Sequence, residues 1–165
     1  IFGGKGADTI IGGAGNDVLI GDIGASGSSL GLGSLTNDHN ASGNDQLYGG
    51  TGNDSLYGDD GDDTLDGGTG SDTITTGSGS DQIILRAGDG GDELSDADII
   101  TDFTDGSDDF GFTTGLSFGE ITWTQGTGDY SNDTIIKAGS EYLAILQGID
   151  VSLLTEADFE PLDIA

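Results

Sequence analysis

The chain has no cysteine, one histidine (His39) and only three basic residues, Lys5, Arg86 and Lys137, among 165. Without cysteine there is no disulfide to staple the fold and no thiol to do chemistry. Against the three cations stand 31 acidic residues, for a formal net charge of −28. Such a surface repels nucleic acid and anionic membranes. No run of about 18 apolar residues exists, so neither a transmembrane helix nor stable membrane insertion is expected, and no N-terminal signal peptide is visible. With one histidine and no cysteine the parts of a nucleophilic site are lacking, so the chain is not expected to be an enzyme. Low hydrophobicity with this much charge ordinarily gives disorder. Order here must come from something that neutralises carboxylates, which leaves metal as the staple.

What is present is a nine-residue period. From Gly49 to Asp81 the sequence reads GGTGNDSLY, GDDGDDTLD, GGTGSDTIT, TGSGSD. Asp54, Asp63, Asp72 and Asp81 recur in step, and two residues after each comes Leu56, Leu65, Ile74 or Ile83. A fixed short period predicts stacked identical units. Each unit divides into a six-residue turn, GGxGxD, and a three-residue strand. Side chains alternate along a strand, so only its middle residue points inward. Two units make one coil turn. The glycine turns present carbonyl oxygens and the Asp adds a carboxylate. Oxygens at fixed spacing suit a hard divalent cation, and Ca²⁺ takes six to eight of them in irregular geometry. An EF-hand is excluded: the nearest attempt, Asp62-x-Thr64-x-Asp66-Gly67, has Thr73 where glutamate belongs. A phosphate loop is excluded too, because no Gly-Lys-Ser/Thr follows.

The nonapeptide GGxGxD-x-(Leu/Ile)-x resembles the RTX repeat, the calcium-binding parallel β-roll of bacterial secreted toxins, proteases and lipases. The resemblance implies an all-β, calcium-bound parallel β-roll with a β-rich C-terminal cap. It also implies the ligands. Turns two units apart sandwich one ion, held by the sixth-position Asp and by carbonyls of positions two and four. Asp8, Asp45, Asp63 and Asp81 then form one row, and Asp17, Asp54 and Asp72 the other. The carbonyls belong to Gly4 and Gly6, Gly13 and Gly15, Gly50 and Gly52, Asp59 and Gly61, Gly68 and Gly70, and Gly77 and Gly79. Roughly five to seven Ca²⁺ are counted from the motif. Asp also caps turns without metal, but stacked, uncompensated Asp rows repel one another. Asp22, Asp59, Asp60 and Asp62 are extra acids that either add ligands or raise the local negative potential. Asp89 and Asp92 either finish a last site against the sixth unit or do not.

In chain order, Ile1-Phe2 fill the last two places of a preceding unit, so the chain is expected to be a piece of something longer, fused to an upstream domain. Units begin at Gly3 and Gly12. The third starts at Gly21 and resumes at Gly43-Asn44-Asp45, around a Ser/Gly/Asn-rich insertion over 23–42. Units four to seven run unbroken from Gly49 to Ile84, the seventh starting with Thr76 in place of Gly. After Ile84 the period stops, and residues 85–92 read as a half-turn closing the roll. The β-roll is thus assigned to 1–92 and the cap to 93–165. Alternation at Ile99–Phe103, Glu120–Thr124, Thr134–Lys137 and Tyr142–Leu146 predicts strands, and Phe103, Phe110, Phe112, Trp123 and Leu146 are its candidate core.

The run Asp98-Ile-Ile-Thr-Asp-Phe-Thr-Asp-Gly-Ser-Asp-Asp-Phe110 resembles the segment after the repeats in haemolysin-type calcium-binding proteins. Gly148–Phe159 is similar to the close of such tails, cyanobacterial ones being nearest in texture. That resemblance implies an uncleaved type I secretion signal, the type I secretion machinery as partner, and a secreted protein. The function expected is a C-terminal module that folds on extracellular calcium after export of a larger protein. The alternative is an adhesin segment, or an accessory module holding a polysaccharide for an upstream enzyme. Deleting residues 23–42 should restore an uninterrupted period and leave calcium-induced folding, followed by circular dichroism, intact. Loss of folding would mean that the third unit is misregistered.

Overall fold

The computed structural model describes residues 1–4, 9–15, 18–22, 43–113 and 115–162. The insertion over 23–42 with His39, and the expected ligands Gly6, Asp8 and Asp17, lie outside the described residues. Among those described, the chain is all-β, with helix only as single 3₁₀ turns. The repeats form β1 (Phe2–Gly4), β2 (Thr9–Ala14), β3 (Val18–Asp22), β4 (Gln46–Thr51), β5 (Ser55–Asp60), β6 (Thr64–Thr69), β7 (Thr73–Ser78) and β8 (Gln82–Leu85). Successive strands fall in alternate sheets. β4 pairs in parallel with β6, and β5 with β7, so Leu47 meets Leu65 and Leu56 meets Ile74, 18 residues on. This is a parallel β-roll with two units per coil turn. β2 pairs with β4 and β3 with β5 in the same register, Ile10 with Leu47 and Leu19 with Leu56, so the period resumes where Gly43-Asn44-Asp45 placed it.

The strands are longer than the motif suggested. β4 to β7 each span six residues, leaving only the fourth to sixth positions as a turn. The backbone of positions two and three still pairs with the next rung, as Gly50 with Gly68 and Thr51 with Thr69. Glycine permits this. A Cβ on Gly68 would overlap the Gly50 carbonyl oxygen, and one on Gly70 would overlap that of Gly52. Both residues also hold positive φ, 88° and 143°. The turns therefore stack carbonyl onto Cα, closer than any side chain allows.

Inside run two columns, each one side chain wide. Ile10, Leu47, Leu65, Ile83, Phe110 and Phe159 face Leu19, Leu56, Ile74, Ile100 and Leu146, and all are buried. Each contributes on the order of 2 kcal/mol by leaving water.

The columns pass through residue 92. The strict period ends at Ile84, but the coil does not. β9 (Asp98–Ile100) pairs in parallel with β7, β10 (Asp109–Phe112) with β8, and β14 (Phe159–Pro161) with β10. The expected closing half-turn over 85–92 is instead a longer connection. Asp98-Ile-Ile and Asp108-Asp-Phe keep the Asp-x-apolar half of the motif and so keep the strand. The antiparallel run β11 (Ile121–Gln125), β12 (Thr134–Ala138) and β13 (Glu141–Leu146) then joins the first sheet through β13 on β9. Of the expected cap core, Phe103, Phe110, Phe112 and Leu146 are buried, while Trp123 packs against the core part-exposed. Phe103, Phe110, Phe159 and Trp123 stack in succession at 5.1, 5.2 and 4.9 Å between centroids. The column of Ile10, Leu47, Leu65 and Ile83 thereby ends on aromatic rings, which cover the last rung as a solenoid end requires.

Gly70→Ala should destabilise the fold more than Gly15→Ala. The first adds a clash with a carbonyl. The second has positive φ but open space around it, and costs only backbone strain, roughly 1–2 kcal/mol. Thermal melts in calcium compare the two; equal losses would refute carbonyl-on-Cα stacking.

Candidate metal centre

The sixth-position aspartates point into the turns rather than out. Asp45, Asp54, Asp63, Asp72 and Asp81 are all buried, at 2% exposure or less. They form two rows, in which the carboxylates of Asp63, Asp72 and Asp81 each accept a backbone N–H from the rung before. Asp45 N donates to Asp63 Oδ1 at 2.8 Å, and Asp63 N to Asp81 Oδ1 at 2.8 Å. In the other row Asp54 N donates to Asp72 Oδ1 at 2.7 Å. Fifth-position side chains run the opposite way: Asn44 Oδ1 accepts from Asp62 N at 3.1 Å, Asn53 Oδ1 from Ser71 N at 3.3 Å, and Asp62 Oδ1 from Ser80 N at 3.0 Å.

The second carboxylate oxygen sits over the first glycine of its own turn. A Cβ on Gly49, Gly58 or Gly67 would overlap Oδ2 of Asp54, Asp63 or Asp72. For Asp72 and Asp81 this oxygen is buried and has no hydrogen-bond partner. An ionised, unpartnered oxygen out of water is costly unless a cation meets it. Among the described residues of 1–92 the only cationic side chain is Arg86, and it is spent on Asp66, to which Nε donates at 3.1 Å and Nη2 also binds. Burial accordingly pushes both Asp72 and Asp81 from an ordinary 3.8 up to about 6, with neighbouring acids adding to the rise, Asp54 and Asp66 for one, Asp108 and Asp102 for the other.

Around each Asp lie carbonyls. Those of Gly13, Gly43, Gly50, Gly52, Asp59 and Gly61 are directed along the stack at the Cα of Gly50, Gly61, Gly68, Gly70, Gly77 and Gly79. Asp59 takes its second-position place despite its side chain, at φ 74°. Among the described residues no three acidic or histidine side chains converge to hold a metal by themselves. A cation in these turns therefore needs backbone oxygens in its shell. Paired carboxylates with carbonyls are a hard, all-oxygen donor set, and they fit Ca²⁺.

Of the other expected ligands, Gly4 lies in β1 opposite Asp22, Gly13 lies in β2 opposite Gly50, and Gly15 follows β2, both at positive φ. The Asp89 carbonyl accepts from Gly70 N at 3.3 Å, which seats it on the sixth unit. Burial, then Asp66, pushes its carboxyl up to about 7. Asp92 is exposed. Asp60 and Asp62 sit outside, Asp60 accepting from the Ser78 hydroxyl at 2.6 Å. Three acids were not anticipated. Asp98 Oδ1 accepts from Asp72 N at 2.9 Å and Asp108 Oδ1 from Asp81 N at 3.2 Å, continuing the two rows. Asp102 takes the Thr76 and Gly77 amides at 2.8 and 3.0 Å. The first two carried a signal, the Asp-x-apolar triplet without its glycines; Asp102 carried none.

A family model described as the RTX calcium-binding nonapeptide repeat, in four copies, matches residues 1–26, 39–74 and 57–94. No curated protein matches the sequence. Among solved structures, the extracellular lipase LipA of Serratia marcescens is similar over 92% of this chain and 20% of its own, at 20% identity and TM-score 0.58. Two subunits of the Azotobacter vinelandii mannuronan C5-epimerase also match: AlgE6R2 at 22% identity, TM-score 0.49, over 96% of this chain and 90% of that one, and AlgE6R3 at 20%, 0.44, 94% and 79%. The chain thus spans a fifth of the lipase, and that likeness is one of fold.

The raised carboxyls fix a sign. Unfolded, Asp72 and Asp81 ionise near 3.8; folded and without a cation they hold their protons to about 6. Their contribution to stability is then full below about pH 4 and lost as pH rises towards 6. With a cation bound, the ionised form is favoured and stability should rise with pH over the same range. Melting temperatures between pH 4 and 7, in chelator and in calcium, should slope in opposite directions. Parallel slopes would mean that no cation meets these oxygens.

Proposed function

Because the repeat part of this chain belongs to the RTX calcium-binding nonapeptide-repeat family, we propose that it is a calcium-folded module of a larger secreted protein, structural rather than catalytic. On this reading residues 1–92 carry the ion rows and 93–165 the cap and type I secretion signal. The chain stays unfolded in the low-calcium cytoplasm, passes the secretion channel, and folds outside. No helix among the described residues is long and apolar enough to cross a membrane.

The observation that carries the reading is the pair of buried, unpartnered oxygens, Asp72 Oδ2 and Asp81 Oδ2, in a chain of net charge −28. Without cations the carboxylate rows repel, and columns one side chain wide cannot offset chain entropy. A bound divalent ion supplies two positive charges between turns. Asp8, Asp45, Asp63 and Asp81 on one side, and Asp17, Asp54 and Asp72 on the other, would hold five to seven ions together with the second- and fourth-position carbonyls. The carboxylates and carbonyls of neighbouring rungs are then tied together, so binding energy is folding energy. Affinity on the order of 10⁻⁴–10⁻³ M suits an extracellular module.

Circular dichroism against calcium tests this. In this 165-residue piece taken by itself, Asp63→Ala should raise the calcium midpoint several-fold and Asp8→Ala less, because Asp63 has rungs on both sides and the loss of an interior rung breaks coupling between neighbours. Mg²⁺ should not induce the fold, since it demands octahedral geometry and keeps its waters. Wild type and both variants sharing one midpoint would make the acids mere surface charge.

A further inference from the structure

The two rows of turns end on different chemistry. In the row of Asp54 and Asp72, the sixth unit has glycine at its first position, Gly67, and Asp72 Oδ2 lies over it, buried and without a partner. The segment above supplies the Asp89 carbonyl, on Gly70 N, and the Asp98 carboxylate, on Asp72 N. These are the contacts that Thr69 and Asp72 make one rung earlier, to Gly52 N and Asp54 N. Asp98 is itself buried, at 6% exposure. The charged groups facing Asp89 are Asp66, Arg86, Glu141 and Asp72. Arg86 is committed to Asp66. Glu141 is committed to the amides of Gly88 and Gly90, at 2.8 and 3.1 Å, which holds the segment down. The cradle has a rung's backbone above it, an orphan oxygen within it, and surplus negative charge.

The row of Asp63 and Asp81 ends otherwise. The first position of the seventh unit is Thr76, fully buried. Its Cβ stands where the other turns have a glycine beneath Oδ2. Its hydroxyl lies 3.1 Å from Asp102 Oδ1 and 3.3 Å from Asp108 Oδ2. Asp102 also accepts the Thr76 and Gly77 amides, and Asp108 those of Asp81 and Thr104. Asp81 Oδ2 is orphaned as Asp72 Oδ2 is, and the ion that meets it is then the one shared with Asp63; the rows differ in the acids that close them. Asp102 and Asp108 are both occupied by N–H and O–H donors, and such bonds stabilise an ionised carboxylate without metal.

We propose that the row of Asp54 and Asp72 carries one cation site beyond the repeats, closed by Asp98 and Asp89, whereas the row of Asp63 and Asp81 ends in a metal-free closure in which Asp102 and Asp108 hold Thr76 and the turn amides. The proposal rests on the calcium reading above. It makes Asp98 a ligand outside the nonapeptide motif. It gives Thr76, the one residue that breaks the motif in the seventh unit, the job of ending its row.

The test is calcium stoichiometry of the whole chain by equilibrium dialysis and metal analysis. Asp98→Asn should bind one ion fewer than wild type. Asp102→Asn should bind the wild-type number and melt at a lower temperature. An Asp98→Asn protein with the full count, or an Asp102→Asn protein short by one, would overturn the proposal. Should Asp98→Asn not fold, crystals of the wild-type chain in millimolar terbium decide. An anomalous peak between Asp72 and Asp98, with none between Asp81 and Asp108, is expected; the reverse, or a peak at both, overturns it. Peaks within the repeats but none at Asp98 would sink this inference alone. No peaks anywhere would sink the calcium reading with it.

Discussion

The structure depends on carboxylates buried in register, of which Asp63, Asp72 and Asp81 are each bonded by one oxygen to the backbone of the previous rung. That bond aligns neighbouring turns, and the second oxygen creates the demand for a cation. The two cannot be separated. An Asp moved outward to escape repulsion would give up the N–H that sets the spacing of the stack. The glycines serve the same arrangement. At the first position they make room for Oδ2, and at the second and fourth they let the turns close to carbonyl contact. The apolar columns are too thin to hold the coil unaided, so the polar turns carry the cooperativity that a globular domain draws from its core.

The cap works by different means. Its strands join the same two sheets, yet its closing contacts are charges and donors carried by the chain itself: Glu141 on the amides of Gly88 and Gly90, Asp102 on Thr76. The aromatic stack from Phe103 to Trp123 replaces the aliphatic column with larger surfaces. The row of Asp63 and Asp81 is thus closed by groups that the chain itself carries, while the orphan oxygens of the repeats are left for a cation.

Much of this was legible in the sequence. The period placed the inward Leu and Ile of the repeats, from Ile10 to Ile83, paired the units 18 residues apart, and found the return of the register at Gly43 across the insertion. It did so because each unit repeats the same local contacts, and local contacts are what a sequence motif records. What it could not show was the reach of the strands into the glycine positions, since pairing there depends on the neighbouring rung. Nor did it show that the coil runs beyond Ile84. Asp98 and Asp108 sit 26 and 27 residues after the aspartates they cover, so no nine-residue window could find them. Asp102 reaches Thr76 from a loop with no repeat character at all.

The alternation of strands between two sheets gives the coil a parity. An insertion or loss of two units would add or remove a rung and leave every remaining turn on its own side. A change of one unit would move everything beyond it to the opposite sheet, setting Thr76 and its partners under the wrong row. The interruption in the third unit obeys this rule. It leaves and re-enters at one turn, so β2 finds β4 and β3 finds β5 across it. Length in such a coil is free to drift only in steps of 18 residues, while side loops of any size are tolerated.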